Sequence, residues 1–246
     1  MLHAFSRRFD VPVTPTIVDP PRDRVDRIYP WAGHIAKDRN RYVVPVRITK
    51  YTHSCVRLEA DERVLVIDPG TWSEAYALRG ADAVLVTHAH ADHLDLLRLI
   101  GLGVPVYAPA EAAIPQLAVR RVHVGEDFTA GGFRVRAVGG RHATVYNEQP
   151  DCPNLGYVVE DALYHPGDAL HVPAQRIDTL LVPIQASWLK TAEALDFVRA
   201  VDARQTFPIH DGQVNERGLA SLNGWFAEQA SGYRWLSPEQ SSMVAT

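Results

Sequence analysis

Three histidines and two aspartates fall within nine positions of "THAHADHLD", residues 87–95. Imidazoles and carboxylates are costly to desolvate, yet these follow directly on the apolar run Ala83-Val84-Leu85-Val86. If the chain leaves a strand here, His88 and His90 point to one side, because extended backbone repeats every two residues. Asp92 and His93 then fall at the start of a following helix, within reach of a second position nearby. Neutral imidazoles and ionised carboxylates are ligands for divalent metals, so the spacing suits two ions, one held by each pair. A plain helix start would explain Asp92 and Asp95 as partners of the helix dipole. It gives no reason for three histidines.

Four residues of one segment do not complete a two-metal site. Three later positions share a context: an ionisable residue just past an apolar strand, beside a turn. His142 follows "FRVRAVGGR", Asp168 follows "ALYHPG", and His210 follows "TFPI" and precedes Asp211-Gly212. Each alone is compatible with turn chemistry, since Gly-Asp and Asp-Gly are turn dipeptides. As a series behind the first motif they extend the donor set. Asp68 closes "RVLVID" in an Asp-Pro-Gly turn, which is also an ordinary turn sequence.

The pattern of an Asp after an early strand, an HxHxDH segment, a later His, an Asp and a final His resembles the metallo-β-lactamase-fold hydrolase superfamily. The resemblance runs from about Tyr42 to His210. It implies an α/β fold, a four-layer αβ/βα sandwich of two mixed β-sheets with outer helices. It also implies one metal on His88, His90 and His142, a second on Asp92, His93 and His210, and Asp168 bridging both. Asp68 would orient a ligand, as metal sites require. His90 stands where the di-iron flavoprotein oxidases of this fold carry Glu, and Asp168 where the best-known zinc β-lactamases carry Cys. The flanking "THSCVRLE", "GRHATVYNEQP", "LYHPGDAL", "VPIQASW" and "PIHDG" are similar to the branch containing the ascorbate-phosphate lactonase.

Mixed nitrogen and oxygen ligands without thiolate suit Zn²⁺ first, and also Mn²⁺ or Fe²⁺. Two such ions would acidify a shared water for attack on a carbonyl carbon or phosphorus. Asp92, Asp168 and His210 are therefore the expected catalytic residues, in a hydrolase of a small ester, lactone or phosphoester. Two other readings stand beside it: a mononuclear iron oxygenase on the same fold, and a non-catalytic metal- or ligand-binding protein. Around the site, His53, Tyr146, Asn147 and Trp188 are candidates for substrate contact, with Arg141 and Lys190 behind them. Packing or solvation would account for each of these equally. Cys55 and Cys152 have no base tied to them by spacing and read as packed or loop thiols.

The elements that must position these groups are legible as texture. "YVVPVRITKY", "SCVRLE", "RVLVID", "ADAVLVT" and "VPVYA" read as strands, and "FRVRAVGG", "LGYVVED", "ALYHPGD", "DTLLVPI" and "RQTFPI" as a second series. "WSEAYALRG", "DHLDLLRLIGLG", "AEAAIPQLAV", "KTAEALDFVRAVD" and "RGLASLNGWFAEQ" read as helices, the third weakened by Pro115. Residues 1–40 are rich in proline and arginine and predict an extended arm, which would pack on a neighbouring subunit of a homo-oligomer. Residues 41–246 predict a single hydrolase domain.

With 246 residues, 46% of them hydrophobic and 22% charged, the chain can bury a full core. A formal net charge of −4 gives no electrostatic footprint for nucleic acid or an anionic membrane. No apolar run reaches the roughly 18 residues a membrane span needs. Arg7-Arg8 is followed by Pro12, Pro15, Asp19 and Pro20 rather than an apolar stretch, which predicts no signal peptide. Two cysteines fit a reducing compartment. The expected setting is the cytoplasm, with a small molecule as partner.

Overall fold

The β-branched runs become strands, as side chains that pack well on a pleated surface should. In the computed structural model, which describes residues 45–246, β1 (Pro45–Lys50), β2 (Val56–Ala60) and β3 (Arg63–Ile67) form an antiparallel meander. β4 (Ala83–Leu85), β5 (Val106–Pro109) and β6 (Arg120–Val122) continue that sheet in parallel. The second sheet holds β7 (Asp127–Ala130), β8 (Phe133–Arg141), β9 (Pro153–Val159) and β10 (Leu163–His165) antiparallel. β11 (Thr179–Pro183) and β12 (Gln205–Ile209) then follow in parallel. The final strand, β13 (Ser241–Ala245), returns to pair with β1, so the sheets have seven and six strands. The expected arm, residues 1–40, lies outside the described residues.

Alternation along single strands divides the core into layers. On β3, Leu65 and Ile67 face the space between the sheets, while Val66 faces outward; on β4, Ala83 and Leu85 do the former and Val84 the latter. The inner layer meets Phe133, Val135, Leu155, Tyr157, Leu181 and Phe207 of the second sheet. Outside the first sheet, Leu78 of a 3₁₀ turn (Ala75–Leu78) and Leu99 of α1 (Leu96–Ile100) cover Val66 and Val84. Outside the second, α2 (Thr191–Val201) and α3 (Glu216–Gln229) lay Leu195, Phe197, Val198 and Phe226 over Leu180 and Val182. Burying such a side chain stabilises by about 1.5–3 kcal/mol, and strands covered on both faces read as the unbroken apolar runs seen in the sequence. This is the expected four-layer sandwich of two mixed sheets with outer helices.

Local differences have local causes. "DHLDLLRLIGLG" is helical only over Leu96–Ile100, because the Asp95 carboxylate accepts from Arg98 N at 3.1 Å and caps the helix there. Asp95 N donates to Pro69 O, tying the preceding residues to the Asp-Pro-Gly turn. Asp92 and His93 therefore sit in a turn before the helix, not in its first turn. "WSEAYALRG" shrinks to the 3₁₀ turn, and "AEAAIPQLAV" forms turns around Pro115 instead of a helix. β6, β7 and β13 are additions to the expected strands; "RRV", "DFTA" and "SSMVA" are short and carry charged or hydroxyl side chains.

No helix among the described residues is long and apolar enough to cross a membrane.

Candidate metal centre

Every residue singled out by spacing as a ligand lies just beyond a strand. Asp68 follows β3 and the segment from His88 to His93 follows β4, on the first sheet; His142, Asp168 and His210 follow β8, β10 and β12 on the second. His53, after β1, joins them. Backbone strain collects here: His53, Asp68 and His210 adopt positive φ of 68°, 51° and 61° without being glycine. Gly70 allows close approach of two loops, since a Cβ there would lie 1.8 Å from the carbonyl oxygen of Asp92.

The first set is His88, His90 and His142, whose ligand atoms lie within 4.8 Å of one another. Hydrogen-bond partners assign the tautomers. His142 Nδ1 donates to Ala143 O at 2.6 Å, leaving the Nε2 lone pair free. Thr87 Oγ1 donates to Asp68 Oδ2 at 2.7 Å, so it accepts from His88 Nδ1 at 3.1 Å, and again Nε2 is left. His88 Nε2 then faces His90 Nδ1 at 3.0 Å, while His90 Nε2 points to the Cys152 sulfur at 3.7 Å. Burial pushes His88 well below the ordinary histidine range, and the neighbouring His93 adds to this; burial and His142 push His90 down as well.

The second set is Asp92, His93 and His210. His93 Nδ1 donates to Asp68 Oδ2 at 2.7 Å and His210 Nδ1 to Gln185 O, so both turn Nε2 inward. Asp168 stands between the two sets. Its Oδ2 lies 3.3 Å from His142 Nε2 and 3.0 Å from His210 Nε2, and its Oδ1 lies 3.1 Å from His93 Nε2. Burial works to raise the Asp168 carboxyl, but the charges of His93 and His210 outweigh it and hold the group well below the usual range. For His93, burial opposes the charge, yet Asp168 and Asp68 carry it well above the ordinary value. Burial likewise opposes ionisation of Asp92, and the His53 hydrogen bond and His93 bring it down to about 2. Burial takes His53 down to about 4 despite Asp92.

His93 Nε2 and Asp168 Oδ1 decide whether a cation fits. Both atoms are buried and neither has a hydrogen-bond partner, although they face each other. A buried polar atom left unpaired is costly, and a divalent cation is what these donors lack. Five imidazoles and two carboxylates converge, several with their outer nitrogens held by neighbours, the arrangement by which proteins orient metal ligands. The cluster is suited to hold one or two divalent metals.

Comparison with known proteins agrees. The sequence profile of the beta-lactamase superfamily domain matches residues 47–210. The chain belongs to the metallo-β-lactamase superfamily. Protein Rv0786c of Mycobacterium tuberculosis is 37% identical over 211 residues, covering 81% of this chain and all of that protein. A UPF0173 metal-dependent hydrolase of Methylobacterium nodulans is 30% identical, over 68% of this chain and 85% of its own length. Igni18, a metallo hydrolase of Ignicoccus hospitalis, shares the fold at a TM-score of 0.61 and 18% identity, over 81% of this chain and 98% of its own.

In this metallo-β-lactamase superfamily member, a cleft of about 150 Å³ opens over the cluster. His90, Asp92, His142, Asp168 and His210 form its floor, and Val145, Pro150, Ala186, Ser187, Trp188 and Gln213 its walls. Trp188 Nε1 donates to Asp168 Oδ2 at 3.1 Å, so the expected pocket residue also holds a floor residue. Tyr146 and Asn147 lie on the exposed loop beside it, lining an adjoining cleft of about 540 Å³ with Val145, Gln149 and Pro150. Arg141 and Lys190 are exposed and paired with Asp151 and Glu193. Two contributors escaped sequence reasoning. Asn154 receives Asp168 N at 2.9 Å and donates to Pro166 O, and no motif marks it. Thr87 receives no ligand role from spacing, yet it links His88 to Asp68.

Proposed function

We propose that this chain is a dinuclear metal-dependent hydrolase of a small ester, lactone or phosphoester, with residues 41–246 as the hydrolase domain. The observation that carries it is the placement of Asp168 between His142 on one side and His93 and His210 on the other. On this reading His88, His90 and His142 hold one metal, Asp92, His93 and His210 the other, and Asp168 both, with zinc the first choice for nitrogen and oxygen ligands. Bound metals would supply an acidified water as nucleophile and polarise the substrate's carbonyl or phosphoryl oxygen.

The chain's own residues do the rest. Asp68 fixes His93 and, through Thr87, His88. Trp188 fixes Asp168, and Asp92 lines the same cleft. Val145, Pro150, Ala186 and Trp188 offer apolar contact, Ser187 and Gln213 polar contact, and no Lys or Arg lines this cleft among the described residues. That lining favours a neutral ester or lactone over a phosphorylated one. The flanking motifs similar to the ascorbate-phosphate lactonase branch make lactones the first class to screen.

Metal per chain by elemental analysis tests the reading, with His88→Ala and His210→Ala alongside. Near two equivalents in the parent chain and about one fewer in each variant is the expected result. One equivalent, unchanged by His210→Ala, would overturn it. On a responsive lactone or ester, Asp168→Ala should lower kcat/KM by at least about 10-fold.

A further inference from the structure

Six histidines surround the cluster; His88, His93, His142 and His210 hold a proton on an outward-facing Nδ1, and His53 does not. His53 falls within the group His53, Asp92, His93 and His210, whose candidate ligand atoms lie within 4.8 Å of one another. Its Nδ1 accepts the backbone N–H of Gly212 at 3.2 Å, a donor with no alternative role. Neutral imidazole then bears its hydrogen on Nε2, which lies 3.0 Å from Asp92 Oδ2. His53 therefore presents a hydrogen, not a lone pair, to the cluster.

Its surroundings fix that choice. His53 is fully buried, at left-handed φ of 68°. Its carbonyl oxygen accepts from His210 N at 3.0 Å, and its own N–H donates to Asp211 Oδ1 at 3.1 Å. Asp211 is in turn anchored by the buried Lys50, whose Nζ reaches Oδ2 at 2.8 Å. The ring lies between Trp72, with centroids 4.7 Å apart, and His210, at 3.9 Å. One residue thus touches Asp92 through its ring and His210 through its backbone.

We infer that His53 is a positioning residue, not a metal ligand and not a substrate contact: its Nε2–H aims Asp92 and so sets the affinity of the Asp92–His93–His210 metal position. The inference rests on the dinuclear reading above. Outer partners of metal ligands change affinity by about 10–100-fold, and only one of the two positions should feel this one.

The test is stepwise Co²⁺ binding to the full chain, by chelator competition and visible absorption, for the parent, His53→Phe and His53→Gln. Phenylalanine keeps a ring without a donor; glutamine restores an N–H at similar reach. His53→Phe should weaken the second equivalent by about 10–100-fold and leave the first unchanged, and His53→Gln should recover most of the loss with the parent's Co²⁺ spectrum. Parent affinities in both variants would reduce His53 to packing. Failure of His53→Gln to recover, with a spectrum of lower coordination number, would make it a ligand. A parent chain that binds one equivalent overturns the dinuclear reading and this inference together, whereas the two previous outcomes overturn the inference alone.

Discussion

A buried histidine outside the candidate ligand set shows how tightly the surroundings of this cluster fix protons. His165 Nε2 donates to Ser54 O at 2.9 Å and Nδ1 accepts from Gly167 N at 3.1 Å, so a second proton has nowhere to go. Burial pushes its pKa below the ordinary 6.5, even though Asp68 pulls the other way. The unfolded chain therefore takes up a proton that the folded chain refuses. His165's contribution to stability is complete above pH 6.5 and is lost as pH falls through the lower folded value. Glutamine can donate and accept at the same two places without titrating. Chelator-treated His165→Gln should show a shallower loss of stability between pH 6.5 and 5 than the parent, by up to about 1.4 kcal/mol per pH unit. Urea unfolding at stepped pH measures it, and parallel slopes would remove His165 as the cause.

At the scale of elements, the strand ends do the positioning, and one glycine controls how two of them meet. Gly70→Ala would drive a methyl group into the Asp92 carbonyl; such overpacking costs about 1–3 kcal/mol and here displaces the turn carrying Asp92 and His93. Metal content should fall by about one equivalent as stability drops. Gly224→Ala, on α3 with nothing within 4 Å of the new Cβ, should instead stabilise by about 0.5–1 kcal/mol. Thermal melts with metal analysis of both variants separate a site effect from a general glycine effect. The same contrast explains what could be read from sequence. The two-faced strands were legible as apolar runs, and the residues that gather in the cluster as ionisable residues just after them. The length of α1 was not, because the bond from Asp95 N to Pro69 O joins turns 26 residues apart. Nor was the role of His53, which depends on a backbone N–H at Gly212, at the far end of the domain sequence. Asn154 and β13 gave no local signal, since their partners are distant and their own segments ordinary.

For the molecule as a whole, each proposed metal position takes ligands from both sheets: His88 and His90 with His142, Asp92 and His93 with His210. Bound metal would then stabilise the joined sheets and have no matching site in the unfolded chain. At a free concentration 100 times the dissociation constant, one site contributes about 2.7 kcal/mol, or roughly 5–10 °C for a domain of this size. Calorimetry of metal-loaded and chelated chain should show a loss of that order per ion, and coincident melts would argue against tight binding.

The same division has a consequence in time. The ribosome delivers His88 first and His210 last, 122 residues later, and β13, which closes on β1, later still. While the nascent chain is growing, His88, His90, Asp92 and His93 wait as an incomplete cluster whose completing imidazoles do not yet exist. On the proposed ligand set, neither metal position can close until its partner from the second sheet has been made, and the position that needs His210 waits longer than the one that needs His142.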